Sequence, residues 1–192
     1  EFYFLFTPFI GYFHNYIYLR PGTTFSRLPT GGQVWQYTQH NTLFTGFELT
    51  TDVHFTENLV LRPAIEYVYN YNFQTGLALP FTPPLSTFTE LEYSPKLRTN
   101  AIIKPYMSFS NRWFADQNRR DINEQVTPGA ALFHFNMGFG VKVFGQLAEF
   151  NFGVENLTNT KYMMHTSRYR LLNLPEQGRN FIFSLRIPFG IE

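Results

Sequence analysis

Hydrophobic and polar residues alternate strictly along much of this chain, most clearly between Phe133 and Val143. Every odd-numbered residue of that stretch is apolar. The even-numbered residues are small, polar or charged: His134, Asn136, Gly138, Gly140 and Lys142. A period of two places successive side chains on opposite faces of a β-strand. This segment therefore predicts a strand that separates an apolar environment from an aqueous one.

Eight segments of this kind follow one another, at about residues 3–18, 34–55, 59–71, 85–93, 99–109, 133–143, 148–155 and 181–189. In the first segment two sets of residues compete for the apolar face: Phe4, Phe6 and Ile10, or Leu5, Phe9 and Phe13. Most segments reach the roughly 9 to 11 residues that a tilted strand needs to cross a bilayer. Short turns alternate with longer loops, at 20–32, 71–83, 111–127 and 157–178, which is the outer-membrane pattern with long loops outside.

The composition agrees with strands that have one apolar face. The chain contains 23 Phe and 12 Tyr, yet its mean hydropathy is only −0.21. Alternation explains both numbers, because half of each strand is apolar and half is polar. A soluble β-sandwich or lipocalin-like barrel would also alternate, but its aromatic face would be buried and its charged face exposed to solvent. We therefore predict an all-β fold, a transmembrane antiparallel β-barrel with about eight strands in this chain.

Charge and residue chemistry exclude several classes of function. The net charge is +1 with 15% charged residues, so bulk electrostatics favours no nucleic-acid partner. Without cysteine there is no disulfide framework and no thiol chemistry. No nucleophile motif is present, and the five histidines lack metal-ligand spacing: His14, His40, His54, His134 and His165. We expect neither a cofactor nor a metal, and no enzymatic activity.

Several strings in the chain are specific when taken together. The strongest are Val-Glu-Asn-Leu-Thr-Asn-Thr-Lys-Tyr at 154–162, His-Thr-Ser-Arg-Tyr-Arg at 165–170 and Leu-Pro-Glu-Gln-Gly-Arg-Asn at 174–180. Weaker ones lie at 37–40 with 46–49, at 79–84, and at 119–121 with 127–129. With these strings the chain resembles the C-terminal barrel region of TonB-dependent outer-membrane receptors, particularly those of Bacteroidetes-type bacteria.

The resemblance implies a barrel of about 22 strands with a plugged lumen, of which this chain would supply the last eight. Residues 1–192 would be the C-terminal part of that barrel, and the plug domain and an export signal would lie outside them. The implied partners are the lipid bilayer, the plug and remaining strands, the TonB complex acting through the plug, and a ligand such as a ferric siderophore or haem. The implied location is the outer membrane of a Gram-negative bacterium. Receptors of this kind usually end at an aromatic residue, whereas Gly190, Ile191 and Glu192 follow Phe189 here.

An alternative remains open on strand count alone. Eight strands can also close a small barrel whose interior is filled by side chains. The chain would then be a free-standing outer-membrane protein, serving as an adhesin, a small channel or a lipid-modifying enzyme. A plug domain preceding Glu1 in the gene would exclude this second reading.

The loops supply the candidate ligand-binding residues, because they carry more arginine than acid. Guanidinium groups bind carboxylate or phosphate bidentately, and aromatic rings would stack on an anionic chelate. The candidates are Arg20, Arg27, Trp35, Arg112, Trp113, Arg119, Arg120, His165, Arg168, Tyr169 and Arg170. For Arg168, Tyr169, Arg170 and Arg179 a structural role is also open, in which they brace the last long loop. A hydrogen-bonded rim histidine is likewise the alternative for His165.

Overall fold

Eight strands form a single antiparallel sheet, in a computed structural model that describes residues 1–27, 32–97, 101–143 and 145–188. The strands are β1 (Phe2–Phe25), β2 (Gln33–Thr56), β3 (Leu59–Asn72), β4 (Ser86–Tyr93), β5 (Ile103–Phe114), β6 (Ala130–Val143), β7 (Gln146–Glu155) and β8 (Asn180–Arg186). Each strand pairs with the next one along the chain. Within the described residues β1 and β8 do not pair with each other, so each keeps one free edge.

One apolar face continues across the whole sheet. Cross-strand partners share a face, and the register aligns Met107 with Met137, Met137 with Phe152, and Phe152 with Phe183. The predicted alternation is therefore confirmed across four successive strands.

The register also decides which residues of β1 belong to that face. Phe4 pairs with Thr51, and Phe6 pairs with Leu49. The second set lies on the opposite, polar face, since Phe9 pairs with Gly46. Phe4, Phe6 and Ile10 thus belong to the apolar face, and Leu5, Phe9 and Phe13 do not.

The connections at one end of the sheet span 57–58, 94–102 and 144–145, and those at the other span 26–32, 73–85, 115–129 and 156–179. The three longest lie at the second end as expected, but strict alternation of short and long connections was wrong, because 94–102 is longer than 26–32. The second set is called the loop end below. The parts of these predictions that fall on residues 28–31, 98–100, 144 and 189–192 lie outside the described residues.

Two expected boundaries were wrong. β1 and β2 stay paired as far as Phe25 and Gln33, because the ladder continues past irregularities between Phe13 and Tyr16 and between Pro21 and Phe25. The fifth strand is shifted towards the C-terminus and ends at Phe114, not Phe109. The predicted loop residues Arg20, Arg112 and Trp113 consequently lie within strands β1 and β5. Trp35, which was grouped with the loop candidates, lies in β2, close to the expected start of that strand.

Glycines on the polar face make room for large neighbouring side chains. A Cβ on Gly138 would lie 2.6 Å from the Tyr106 ring. That ring crosses Gly138, and its hydroxyl donates to Asn151 Oδ1 at 3.0 Å. Phe9 covers Gly46 in the same way, with a ring carbon 2.6 Å from the Cβ position. The glycines of the alternating pattern are thus packing positions.

Several charges on the polar face form ion pairs. Arg62 on β3 donates to Glu92 at 2.7 Å and to Glu90 at 3.1 Å. Arg186 on β8 lies 3.8 Å from Glu149 on β7. All five residues share the polar face by register with their neighbours.

Within the described residues, no helix is long and apolar enough to cross a membrane.

Candidate functional site at the loop end

Polar side chains are buried where the loops meet the ends of β1, β2 and β3. Asn72 donates to the Tyr18 hydroxyl at 2.7 Å, and both side chains contact His40 Nδ1, at 2.9 and 3.0 Å. Asn70 donates to the Thr82 hydroxyl at 2.7 Å. Buried polar groups need partners of this kind, since an unsatisfied one costs about 1–3 kcal/mol. These contacts fix loop 73–85 against the polar face.

Glu124 joins the long loops to one another. Its carboxylate accepts from Arg170 Nη2 at 2.6 Å, from the backbone N–H of Phe81 at 3.0 Å and from that of Asp121 at 3.1 Å. The Arg170 Nε donates to the carbonyl of His165 at 2.9 Å. Both side chains of this ion pair are buried. Loops 73–85, 115–129 and 156–179 therefore converge on one carboxylate.

A second ion pair attaches loop 115–129 to β1. Arg20 Nη2 donates to Asp121 Oδ1 at 2.7 Å, and the Asp121 side chain is fully buried. Burial raises the pKa of Asp121, and its hydrogen bond from the Ile122 N–H and the charge of Arg20 oppose that rise. The residues are 101 positions apart in sequence, so this contact sets the position of the loop over the sheet.

His165 is buried close to these two ion pairs. We call the group formed by Arg20, Asp121, Glu124, His165 and Arg170 the loop cluster. The His165 Nδ1 shares a hydrogen bond with the Thr127 hydroxyl at 2.8 Å. Its Nε2 has no hydrogen-bond partner among the described residues and lies 3.7 Å from Glu124 Oε1. Burial, together with the charge of Arg170, lowers the pKa of His165 to about 4 from 6.5.

The lowered pKa of His165 gives the loop cluster a defined pH dependence. A histidine that binds protons less tightly when folded favours unfolding as the pH falls. Its contribution to stability is complete above pH 6.5 and is lost as the pH falls towards about 4. The raised pKa of Asp121 acts in the opposite direction, because that carboxyl binds protons more tightly in the folded state.

A short 3₁₀ helix, Arg168–Leu172, places Arg168 and Arg170 in different environments. The Ser167 side chain caps its N-terminus by accepting from the Tyr169 N–H, and Asn173 ends it in the left-handed conformation at φ 56°. This turn directs Arg170 into the loop cluster and leaves Arg168 and Tyr169 exposed. Arg168 makes no ion pair with any described residue.

A cavity of about 360 Å³ lies on the polar face beneath loop 79–83. Aromatic walls and one cation define it, through Tyr16, Tyr18, Phe44, Phe81 and Arg168. We call it the inner cavity. Its volume falls in the range of small-molecule sites. A guanidinium beside aromatic rings can bind a carboxylate while the rings stack on a planar ligand.

The predicted ligand-binding residues fall into separate groups. Arg20, His165 and Arg170 belong to the loop cluster. For His165 and Arg170 this is the structural role that the sequence left open as the alternative to ligand binding. Arg168 lines the inner cavity, whereas Arg119 and Arg120 line a different cleft.

The other candidates lie apart from one another. Trp35 stacks on Phe81 with ring centroids 5.5 Å apart. The Arg112 guanidinium lies 5.4 Å from the centre of the Phe88 ring. Trp113 lies on the apolar face, since it pairs with Thr87 and Ala131. Arg27 and Tyr169 are exposed.

Sequence reasoning missed the residues that organise the loops. Asp121 and Glu124 were not among the candidates, although they are among the most buried charged groups. Asn70 and Asn72 also form contacts that alternation alone cannot reveal. An acid pair three residues apart in an arginine-rich loop was the available signal.

Within the described residues, no cluster of His, Asp and Glu could hold a metal ion.

Comparison with known proteins supports the fold. No protein-family model and no curated protein matches the chain. Among solved structures, copper transporter OprC matches 94% of this chain with a TM-score of 0.76 and 21% identity. The ferric preacinetobactin receptor BauA from Acinetobacter baumannii matches 97% with a TM-score of 0.71 and 17% identity.

The matched regions are parts of larger proteins. This chain spans 28% of the length of OprC and 27% of that of BauA. The eight-stranded sheet thus shares the fold of a segment of each of these two proteins. At this level the expected all-β fold, with eight antiparallel strands in this chain, is confirmed. The Bacteroidetes-type origin stays a prediction.

Proposed function

We propose that this chain is a C-terminal wall section of a TonB-dependent outer-membrane receptor that takes up a ferric siderophore, haem or a similar large nutrient. The observation that carries the proposal is the exposed apolar face that continues from strand to strand across the sheet, with the three longest loops at one end. Such a face requires an apolar solvent, and long external loops are typical of outer-membrane barrels.

Exposure of the apolar face supports contact with lipid. Phe4 is 67% exposed, Ile10 78% and Phe183 69%, although all three are large and apolar. A soluble monomer rarely exposes a contiguous apolar patch larger than a few hundred Å². The bilayer would cover this face without a protein partner.

The free edges of β1 and β8 support continuation of the sheet. In lipid every backbone N–H and C=O must be paired, so an open strand edge is not tolerated. We infer that other strands of the same receptor pair with both edges, making these strands the last eight of about 22. The plug and the contact with the TonB complex would belong to the rest of that receptor.

The inner cavity is the best-supported ligand contact within this chain. It opens on the polar face, which would line the lumen, and Arg168 is its one cationic lining residue. An anionic metal chelate would satisfy both the guanidinium and the aromatic walls. The two similar structures are a copper transporter and a ferric preacinetobactin receptor, which favours a metal-containing nutrient.

Uptake by the source bacterium tests this function. We expect the full-length protein in the outer-membrane fraction, and we expect accumulation of labelled ferric chelates, haem or copper to require both its gene and the TonB complex. Growth under iron limitation should then fall when the gene is deleted. Accumulation that persists without the TonB complex would contradict the proposal and favour a free-standing channel or adhesin.

Substitution in the inner cavity tests the ligand contact separately. Arg168→Gln should raise the half-saturating concentration of the transported chelate at least about tenfold, since a lost charge-assisted hydrogen bond is worth about 1.5–3 kcal/mol and about 1.4 kcal/mol is a factor of ten. Lys161→Gln removes the same charge from an exposed site of the same loop and should leave uptake unchanged. Equal effects of the two variants would exclude a specific contact at Arg168.

A further inference from the structure

A gap in the sheet lies beside the loop end of β3. β4 begins at Ser86, which pairs with Glu66, so residues 67–72 of β3 have no partner in β4. Arg119 from loop 115–129 occupies part of that gap. It donates to the carbonyl of Asn70 at 2.5 Å, and its guanidinium carbon lies 3.8 Å from the centre of the Tyr69 ring. One side chain thus satisfies an open edge and stacks on an aromatic ring.

A cleft of about 510 Å³ adjoins this gap, and we call it the rim cleft. Its walls are Tyr69 and Tyr71 on one side and Arg119 and Arg120 on the other, with Leu77 at its margin. The two tyrosines lie on the apolar face by register, because they pair with Thr45 and Leu43. The rim cleft is therefore separate from the inner cavity, which lies on the polar face.

The charge of the rim cleft is positive and still available. Asp121 is the one acid that lines it, and that carboxylate is already paired with Arg20. Arg120 is exposed and donates one of its five N–H groups to the carbonyl of Glu124, at 2.5 Å. Arg119 has bonded only its Nη2 among the described residues. Several guanidinium N–H groups therefore remain for an anion.

We propose that the rim cleft binds the phosphate headgroup of a membrane lipid. The inference rests on the proposed function in one respect, namely that the apolar face lies in the outer membrane. Arg119 and Arg120 would hold the phosphate oxygens, since arginine binds phosphate through paired N–H groups. The acyl chains would run along Tyr67 and Ile65, which continue the same face of β3 below the cleft.

Continuity with the apolar face favours a lipid over a free anion. A soluble phosphate would need only the arginines, whereas the tyrosine wall and the aliphatic surface below it match an amphiphile. Tyrosines are also enriched at the level of lipid headgroups, where one end of the ring is apolar and the other is wet. Position, charge and hydrophobicity thus agree on one class of ligand.

Binding of lipid A, a phosphorylated glycolipid, to the purified full-length protein in neutral detergent tests the proposal. We expect the Arg119→Gln/Arg120→Gln variant to bind it at least about tenfold more weakly, equivalent to about 1.4 kcal/mol. Lys161→Gln/Arg179→Gln removes two exposed positive charges elsewhere in the loops and should bind it normally. Arg120→Gln alone, which keeps the Arg119 contact with β3, guards against misfolding and should show an intermediate loss.

The remaining outcomes are each decisive. Equal weakening by both double variants would overturn the rim cleft in favour of general charge attraction. Inorganic phosphate that binds as tightly as lipid A would overturn the lipid assignment, because the acyl chains would then contribute nothing. No detectable binding of lipid A would also overturn it. The measurement needs no uptake, so a receptor that fails the transport test can still pass or fail here independently.

Discussion

Replacing Arg170 by methionine should loosen the whole loop end while leaving the strands intact. Methionine keeps much of the length and volume of the side chain but removes its charge and donors. The substitution leaves the buried Glu124 carboxylate without the guanidinium that lies 2.6 Å away. It also removes the donor for the carbonyls of His165 and Gln125, to which Arg170 donates at 2.9 and 3.2 Å. Removing one partner of a buried ion pair typically costs about 3–5 kcal/mol.

Hydrogen exchange at individual amides measures this loss. The Phe81 and Asp121 N–H groups both donate to Glu124, so their protection should fall together although they lie in different loops. At about 1.4 kcal/mol for each factor of ten, the expected acceleration is between about a hundredfold and a few thousandfold. Amides in the middle of β6 should keep their protection.

Arg168→Met is the matched control, because it removes the same group two residues away from an exposed position without an ion pair to a described residue. It should change loop protection by less than about 0.5 kcal/mol. Adding Glu124→Gln to Arg170→Met should recover part of the loss, since no uncompensated charge is then buried and the amide oxygen can still accept from one of the two N–H groups. If Arg170→Met and Arg168→Met opened the loops equally, the reasoning from the buried ion pair would be refuted.

Three further predictions concern the faces, the pH dependence and the glycines. On adjacent positions of β2, Leu49→Arg on the apolar face should cost about 2–4 kcal/mol of folding stability in bilayers, whereas Thr50→Arg on the polar face should cost little. Lowering the pH from about 6.5 to about 5 should reduce the free energy of opening the loops by at most about 2 kcal/mol, measured by hydrogen exchange at the two pH values. His165→Gln should abolish this difference between the two pH values. Gly138→Leu should collide with the Tyr106 ring and reduce the yield of folded protein, measured by protease resistance.

Strand positions were predictable where alternation was unbroken. β6 spans Ala130–Val143, close to the expected 133–143, because its apolar and polar residues never exchange places. The fifth strand was misplaced because Asn111 and Arg112 look like the start of a loop. In the sheet, Asn111 donates to the carbonyl of Leu132 at 3.2 Å, and Arg112 covers the Phe88 ring. Neighbouring strands thus accommodate polar residues that local pattern assigns to a turn.

The loop contacts could not be predicted, because they join residues far apart in sequence. Arg170 and Glu124 are 46 positions apart. Residue type did not separate Arg168 from Arg170 either, since both belong to the same arginine-rich string. Their difference arises from one turn of 3₁₀ helix, which sends one guanidinium inward and leaves the other exposed. Composition therefore indicates a cationic loop end, but only the fold assigns each arginine its role.

Phe81 connects the buried loop cluster to the inner cavity. Its N–H donates to Glu124, its ring stacks on Trp35, and the Arg170 guanidinium carbon lies 5.5 Å from the ring centre. The same residue lines the inner cavity beside Arg168. A change that releases Glu124 must therefore also release one wall of the cavity. Ligand binding should in consequence weaken in Arg170→Met although Arg170 does not line the cavity, and the loss should follow the loop opening measured by exchange.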